Sequence, residues 1–301
     1  MEGKMHSFKT ADLQDKIFII CNYIFLTLVT VIVLLPLIFI VSASFSDPNA
    51  VINGKVWLLP VNPTLKGYQA VFKNPKIMIG FANSFFYMIS GTTVNIIVTV
   101  CCAYPLTRKE FPARNVIAAL IIFTMYFSGG IIPTYLLVKN LGLINTRWAM
   151  ILPVALNPWN MILCRTFMMN SIPDELYEAA CLDGCAPFRY LIHVVMPLSK
   201  PILAVLVLYY GVTHWNSYFN AMFYLKDQML YPVTLFLREI LINSTVDPSM
   251  LADASAAEAA QGLTELLKYS VIVVASLPML VIYPFVQKHF VSGIMVGAIK
   301  G

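Results

Sequence analysis

The chain has 301 residues, of which 59% are hydrophobic and only 12% are charged, and its formal net charge is +5. Its mean hydropathy of +0.76 comes from long runs without charged side chains, and a soluble core of this size cannot bury them all. The basic excess is spread thinly along the chain, which excludes nucleic acid as an expected partner and suits a protein that faces anionic lipid.

Six apolar runs approach or exceed the ~20 residues that a helix needs to cross the hydrocarbon core of a bilayer. The sequence therefore predicts an all-α integral membrane protein, a single domain over 1–301 with six transmembrane helices. The predicted spans are 17–46, 77–107, 115–138, 148–169, 201–225 and 269–287. Buried helices in a soluble protein are the alternative, and six such runs in one chain argue against it.

The first predicted span is expected to be a retained helix rather than a cleaved signal peptide. The polar lead before it is long, its apolar run exceeds the usual ~7–15 residues, and no small-residue cleavage site follows before Asp47. An outer loop, 47–76, comes next. Its stretch NPTLKGYQAVFKNP predicts an amphipathic helix with Tyr68, Val71 and Phe72 on one side.

The distribution of Lys and Arg predicts that both termini lie in the cytoplasm. Basic residues crowd the short link between the second and third spans. The second long outer loop, between the fifth and sixth spans, is 226–268. Under the positive-inside rule, the N-in, C-in orientation places these basic residues in the cytoplasm: Lys4, Lys9, Lys16, Arg108, Lys109, Arg114, Arg165, Arg189, Lys200, Lys288 and Lys300.

Helix-breaking residues interrupt two of the later spans. Gly129, Gly130 and Pro133 fall at the end of the third span. Pro153 and Pro158 predict a bent or partly broken fourth span. The Ala-rich part of the second outer loop is a good helix former, and we expect it to run into the sixth span.

A polar segment, 171–197, separates the fourth and fifth spans and reads SIPDELYEAACLDGCAPFRYLIHVVMP. Ser171 as N-cap and Pro173 in the first turn predict a helix of about nine residues. Asp174 and Glu175 would complement the positive end of that helix. The segment therefore begins with its own short helix outside the bilayer.

Gly184 is expected to end this helix, because glycine adopts the left-handed C-cap conformation without a Cβ penalty. A second helix is predicted from Ala186 until Pro197 stops it. Two short helices joined by a sharp turn, with Ala179 and Ala180 keeping one face thin, would form a docking surface. An amphipathic connector that rests on lipid headgroups is the alternative.

Two polar and aromatic clusters within the spans predict a path for a hydroxylated solute, because each hydroxyl that enters the bilayer needs a hydrogen-bond partner. Anchoring at the membrane interface is the alternative, since Trp and Tyr concentrate there. The clusters are Asn157, Trp159 and Asn160 in the fourth span, and Trp215, Asn216, Tyr218 and Asn220 near the outer end of the fifth.

The chain carries no sign of its own energy source or catalytic centre. No G-x-x-x-x-G-K-[ST] motif occurs, and apart from Arg165 the predicted spans contain no Asp, Glu, Lys or Arg, which argues against an ion-coupled carrier. Cys181 and Cys185 lack the further closely spaced ligands of a metal site. We expect no catalytic, cofactor-binding or metal-binding residues, and a membrane-embedded enzyme is disfavoured by the scattered histidines: His6, His193, His214 and His289.

The 171–197 segment resembles the EAA loop of ABC importer permeases, whose pattern is Glu-Ala-Ala, three residues, Gly, nine residues, Ile, one residue, Leu-Pro. Val194 and Met196 replace the usual Ile and Leu, and Cys185 stands where the sugar-transporting branch often has Ala. The residues in register are Glu178, Ala179, Ala180, Gly184 and Pro197, with Asp183 typical of the sugar branch.

The resemblance extends over nearly the whole chain. PTYLLVKNLGLINT, WNSYFNAMFYL and the terminal GAIKG are similar to the carbohydrate-uptake type 1 family, in the subunit that resembles the second permease of maltose-type systems. The tail resembles the branch that imports complex oligosaccharides. This implies a type I ABC importer permease fold in a multi-pass protein of the bacterial cytoplasmic (inner) membrane.

The resemblance also implies roles and partners. The 171–197 segment, called the coupling loop below, would contact an ATPase. The expected partners are a second homologous permease, two ATPase subunits that bind ATP and Mg, an extracellular or periplasmic sugar-binding protein, and an oligosaccharide. A sensor or scaffold subunit that uses the same fold without transport is the alternative. The implied ATPase-coupling residues are Glu178, Ala179, Ala180, Asp183, Gly184 and Pro197.

Overall fold

The computed structural model describes residues 13–243 and 254–298. Every regular element in these two ranges is helical: α1 Leu13–Ser44, α2 Pro48–Ile52, α3 Lys66–Lys73, α4 Pro75–Ala103, α5 Arg114–Tyr126, α6 Ile131–Asn140, α7 Pro158–Ser171, α8 Asp174–Leu182, α9 Pro187–Tyr190, α10 Met196–Leu198, α11 Lys200–Trp215, α12 Tyr218–Tyr224, α13 Val233–Asn243 and α14 Ala254–Ala298. Lys4, Lys9, the middle of the second outer loop and the last three residues of GAIKG lie outside the described ranges.

Three of the described helices are long and apolar enough to cross a membrane. They are α1, α4 continued to Thr107, and the part Gly262–Pro284 of α14. Two bent helix pairs raise the number to five if each pair is one span. The six spans and the N-in, C-in orientation stay predictions.

The third predicted span, 115–138, consists of two helices, and the break lies where the sequence predicts an interruption by Gly129, Gly130 and Pro133. Helix α5 ends at Tyr126, and α6 leaves at 117° to it. Gly130, the N-cap of α6, has φ +83°, a conformation that glycine adopts without a Cβ clash. Gly130 therefore lies at the bend between the two helices, and the sequence did not predict how sharp this bend is.

The fourth and fifth predicted spans are also interrupted. Residues 147–154 form two 3₁₀ turns, and α7 begins only at Pro158, whose missing N–H suits a first helical position. Helix α11 ends at Trp215, and α12 starts at Tyr218. The intervening Asn216 donates its side-chain amide to the carbonyl of Val212, a local bond that competes with helix continuation.

The predicted outer loops contain helices. The amphipathic helix expected in 47–76 is present as α3, where Val71 is fully buried but Phe72 is exposed. The second outer loop, 226–268, contains α13 and the start of α14, so the Ala-rich stretch does continue into the last apolar helix. Both predicted helices are therefore present, and α2 and α13 are additional helices that the sequence analysis did not predict.

Two compact units divide the chain. One comprises the described residues up to Val71 and from Asn243 to Val273, and the other comprises the rest. In the first unit, the Ser44 hydroxyl shares a hydrogen bond of 2.7 Å with the Tyr68 hydroxyl. Phe39 and Tyr269 pack edge to face there, with ring centroids 5.7 Å apart.

The second unit is built on α4 packed along α11. The Thr99 and Tyr210 hydroxyls share a hydrogen bond of 2.6 Å, and the Asn95 Oδ1 lies 2.6 Å from the His214 Nε2. Gly91 lies directly against the His214 ring. Small and polar residues let two apolar helices approach closely and bond to each other, as in other membrane bundles.

We expect Gly91→Ala to lower the stability of this helix pair. The added Cβ would clash with the His214 ring, and overpacking of this kind costs about 1–3 kcal/mol of unfolding free energy. Gly211→Ala is the matched control, because its Cβ would meet Met88 and Thr92 at 3.9 Å, an ordinary contact. Thermal unfolding of the detergent-purified variants checks this, and equal midpoints for the two variants would contradict it.

Candidate functional site

The coupling loop begins with α8, a helix of nine residues, as the sequence predicts. Ser171 does not cap it, and this corrects the expectation. Ser171 is the last residue of α7, and the N-cap of α8 is Pro173, held extended at φ −61°, ψ 142°. The proline ring imposes this break because it disfavours helical geometry in the preceding residue, Ile172.

A Schellman motif closes α8 at Gly184. The Cys185 N–H donates to the carbonyl of Ala180 over 2.9 Å, and the Gly184 N–H donates to that of Cys181 over 3.0 Å. Gly184 has φ +72° and open space around the position of a Cβ. The turn therefore needs glycine for its backbone conformation and not for room.

The surface around this turn is apolar and exposed. Leu182, the last residue of α8, is 90% exposed, and Phe188 beyond the turn is 69% exposed. Glu178 and Ala179 are exposed beside them. Large apolar side chains grouped on a surface mark an interaction site. Sequence reasoning missed Leu182 and Phe188, because their position next to the predicted turn did not show that they are exposed.

The remaining implied coupling residues lie around this surface in different environments. Ala180 is half-buried and packs against the core of the second unit, whereas Asp183 is exposed at the C-cap of α8. Pro197 does not stop the second helix, which corrects the prediction. It lies within α10, after a π-helical turn at Leu191–Val195 whose wider spacing accommodates a residue without an N–H.

The bend that leads to α11 comes instead at Ser199. The stretch Pro187–Leu198 meets Lys200–Trp215 at 82°. The Ser199 N–H donates to the carbonyl of Val195 over 2.8 Å, which closes the turn before the chain changes direction. The coupling loop thus enters α11 through a sharp corner.

An ion pair ties the start of α8 to the link after α4. The Lys109 Nζ lies 2.6 Å from the Asp174 Oδ2, and both side chains are mostly exposed. Hydrogen bonding in this pair lowers the pKa of Asp174 and raises the pKa of Lys109. The pair is therefore charged at neutral pH, and its contribution is lost as the pH falls through the lowered pKa of Asp174 or rises through the raised pKa of Lys109. An exposed pair of this kind contributes little stability.

Most of the predicted solute-path residues have structural partners. Asn157 caps α7 by accepting the Asn160 N–H over 3.1 Å, and Asn160 is buried. Trp215 is 3% exposed and donates its indole N–H to the carbonyl of Ala275 over 3.1 Å. Trp159 is exposed at the start of α7. These residues are spread over several packing environments and do not form one cluster.

Asn220 is the predicted path residue that lines a groove. The groove has a volume of about 490 Å³ and lies between the start of α6 and α12. Phe219 and Phe223 stack on one another at its wall, with ring centroids 6.5 Å apart. Among the described residues, the Asn220 side chain has no hydrogen-bond partner. Thr134, Phe219 and Phe223 also line the groove, and sequence reasoning did not single them out.

Long apolar helices, together with shorter ones that are broken and bent, indicate a multi-pass membrane protein. The chain is 38% identical to Protein LplC of Bacillus subtilis over 99% of its own length and 98% of that protein. It is also 38% identical to the polygalacturonan/rhamnogalacturonan transport system permease protein YtcP of the same organism, over 96% and 100% of the two chains. None of the family models compared with the chain matches it.

A solved structure has the same fold. It is a bacterial ABC transporter involved in the import of the acidic polysaccharide alginate, with a TM-score of 0.85 and 32% identity, over 93% of this chain and 99% of that one. The chain belongs to the family of ABC transporter permeases for sugar import, which confirms the resemblance. Permease subunits of this family are not themselves enzymes.

Proposed function

We propose that this chain is a transmembrane permease of a binding-protein-dependent ABC importer for oligosaccharides. In this proposal, ATP hydrolysis on a separate ATPase dimer drives alternating access through the coupling loop. The observation that carries the proposal is the exposure of two large apolar side chains, Leu182 and Phe188, on either side of the turn at Gly184. Such a surface gains free energy when a partner covers it.

The proposed complex contains a second permease, two ATPase subunits that bind ATP and Mg, and an external sugar-binding protein. The bacterial cytoplasmic membrane is the proposed location. The coupling residues in this proposal are Glu178, Ala179, Ala180, Asp183, Gly184 and Pro197, now joined by Leu182 and Phe188. Asp183 and Glu178 supply polar contacts around the apolar centre, which is the usual arrangement of a protein interface.

The proposed substrate is an oligosaccharide that contains uronic acid units. The support is the description of two similar proteins, one a polygalacturonan/rhamnogalacturonan permease and the other an alginate importer. The names of both proteins therefore refer to the transport of acidic polysaccharides.

The groove at Asn220 is the proposed sugar contact in this subunit. Stacked rings and an unpartnered amide suit a sugar, which offers apolar C–H faces and hydroxyls. A second cavity, of about 280 Å³, has an almost wholly apolar lining that includes Ile89, Val207 and Met279. Among the residues that the structure describes, Thr92 and Thr93 supply the only polar side chains in its lining, whereas Ser128, Thr134, Asn220 and Tyr224 line the groove, so the groove is the better candidate.

Replacing Asn220 with Leu is expected to raise the KM for oligogalacturonate uptake about fivefold to tenfold, because a hydrogen bond to the sugar is lost. Asn216→Leu is the matched control, since that amide already donates to the Val212 carbonyl in the last turn of α11. Uptake by proteoliposomes that contain the complete transporter measures both. An unchanged KM in Asn220→Leu would remove the groove from the path.

Purification of the complex tests the proposed function itself. We expect the chain, extracted gently from native membranes with an N-terminal tag, to bring down a P-loop ATPase and a second permease identified by mass spectrometry. A chain that comes down alone or as a homodimer under several mild detergents would overturn the proposal. An assembled complex that takes up no oligosaccharide would favour the sensor or scaffold alternative.

A further inference from the structure

Arg108 lies just beyond the C-terminal end of α4, and three tyrosine rings surround its guanidinium group. The Arg108 Cζ is 4.6 Å from the ring centroid of Tyr177, 5.2 Å from that of Tyr104 and 5.7 Å from that of Tyr190. All three distances are within the ~6 Å over which a cation is attracted to an aromatic face. One guanidinium group therefore makes cation–π contacts with three tyrosine rings.

The three rings belong to different parts of the fold. Tyr104 directly follows α4, Tyr177 lies in α8, and Tyr190 ends α9. Tyr104 and Tyr190 are buried and Arg108 is partly buried, and cation–π attraction is stronger in such desolvated surroundings. Tyr177 and Tyr190 also pack edge to face, with centroids 5.2 Å apart. This cluster joins both arms of the coupling loop to the end of α4.

The N-terminal half of α4 holds a different segment, 229–233, which lies within the second outer loop of the sequence. Because α4 is one continuous helix, it connects this segment directly to the Arg108 cluster. Four hydrogen bonds hold the segment: from the Asn83 Nδ2 to the Met229 oxygen (2.7 Å) and to the Tyr231 oxygen (3.1 Å), from the Tyr87 hydroxyl to the Leu230 oxygen (2.8 Å), and from the Val233 N–H to the Ser84 Oγ (2.9 Å).

We propose that Arg108 is a positioning residue that fastens the coupling helix α8 to α4, so that a displacement of α8 moves α4 and the segment 229–233 with it. The proposal rests on the proposed function, because it takes the coupling loop as the place where an ATPase acts. Without the cluster, the packing of Ala180 and the exposed Lys109–Asp174 pair would still hold α8, but a displacement of α8 would pass less completely to α4.

The test uses hydrogen–deuterium exchange on the purified complex in nanodiscs, with and without MgADP and vanadate to trap the ATPase. In the wild type we expect trapping to change the exchange rate of the backbone amides in 228–233 by at least about threefold. In Arg108→Gln we expect the amides of α8 to exchange about tenfold faster, since most of the cation–π attraction is lost. The response in 228–233 should fall below about a third of the wild-type response, while the ATPase still copurifies.

Neighbouring residues supply the controls. Lys109→Gln changes the adjacent basic residue, which also contacts α8, but only through an exposed ion pair, so wild-type behaviour is expected. Tyr177→Phe keeps the ring and should behave as the wild type does, whereas Tyr177→Leu should reproduce Arg108→Gln. If the complex does not assemble with Arg108→Gln, the two Tyr177 variants still test the proposal.

Wild-type exchange in both Arg108→Gln and Tyr177→Leu would overturn the proposal. A wild-type complex in which 228–233 does not respond to trapping would overturn the transmission through α4. If the wild-type chain brings down no ATPase, the proposed function fails instead. The exchange of the α8 amides in the chain alone then still tests whether Arg108 holds α8.

Discussion

Replacement of Gly184 by Val is expected to reduce sugar uptake to below about a tenth of the wild-type rate, while the chain still inserts into the membrane. The backbone at Gly184 has φ +72°, and holding a residue with a Cβ there costs about 1–2 kcal/mol. Open space surrounds the position, so the effect comes from the backbone and not from a clash. Relaxation of the turn would move Leu182 relative to Phe188 and spoil the surface that we propose an ATPase binds.

Two matched variants separate this effect from a general loss of folding. Gly184→Asn should retain a large part of the uptake, because Asn tolerates the left-handed conformation better than Val does. Gly142→Val places the same strain at φ +70°, also in open space, but in the link after α6. We expect it to leave ATPase copurification unchanged. Normal uptake by Gly184→Val would count against the docking turn.

Leu182→Asp is expected to abolish copurification of the ATPase without destabilising the permease. Leu182 is 90% exposed, so the substitution costs little in the isolated chain. In a complex it would remove about 1.5–3 kcal/mol of apolar burial and place an unpaired carboxylate in the interface. Together these effects lower the affinity at least about a hundredfold.

A similarly exposed leucine elsewhere provides the comparison for this variant. Leu59 is 77% exposed in the first outer loop, and Leu59→Asp should leave the amount of copurified ATPase unchanged. Quantitative mass spectrometry of the tagged complex measures both, with the yield of the permease as the reference. If Leu182→Asp retains its ATPase, the exposed turn is not the docking surface.

Glu178, Ala179 and Gly184 could be singled out because a short polar segment stands out in an apolar chain. Leu182 and Phe188 could not be separated from their neighbours by composition, since 59% of all residues are hydrophobic. Their importance depends on exposure, which is a property of the folded surface.

In the predicted solute path, sequence reasoning grouped residues that the structure uses for packing and capping. Trp215 and Asn157 were grouped by polarity and position along the sequence, yet one side chain is buried against α14 and the other caps α7. A polar residue inside a membrane protein satisfies whichever hydrogen-bond partner the packing supplies. Asn220 differs from them only because α12 turns its amide toward a groove.

The sequence by itself determined that this is a helical membrane protein with a polar loop between two apolar runs, because hydrophobicity and helix-breaking residues act locally. It also determined the turn at Gly184, because glycine adopts the left-handed conformation without a Cβ penalty and this preference is local. Only the tertiary structure decided that the third span turns by 117°, and that Arg108 gathers three tyrosines from separate elements. These features depend on residues far apart in the chain, or on the direction a helix takes after a break, and local propensity carries no information about either.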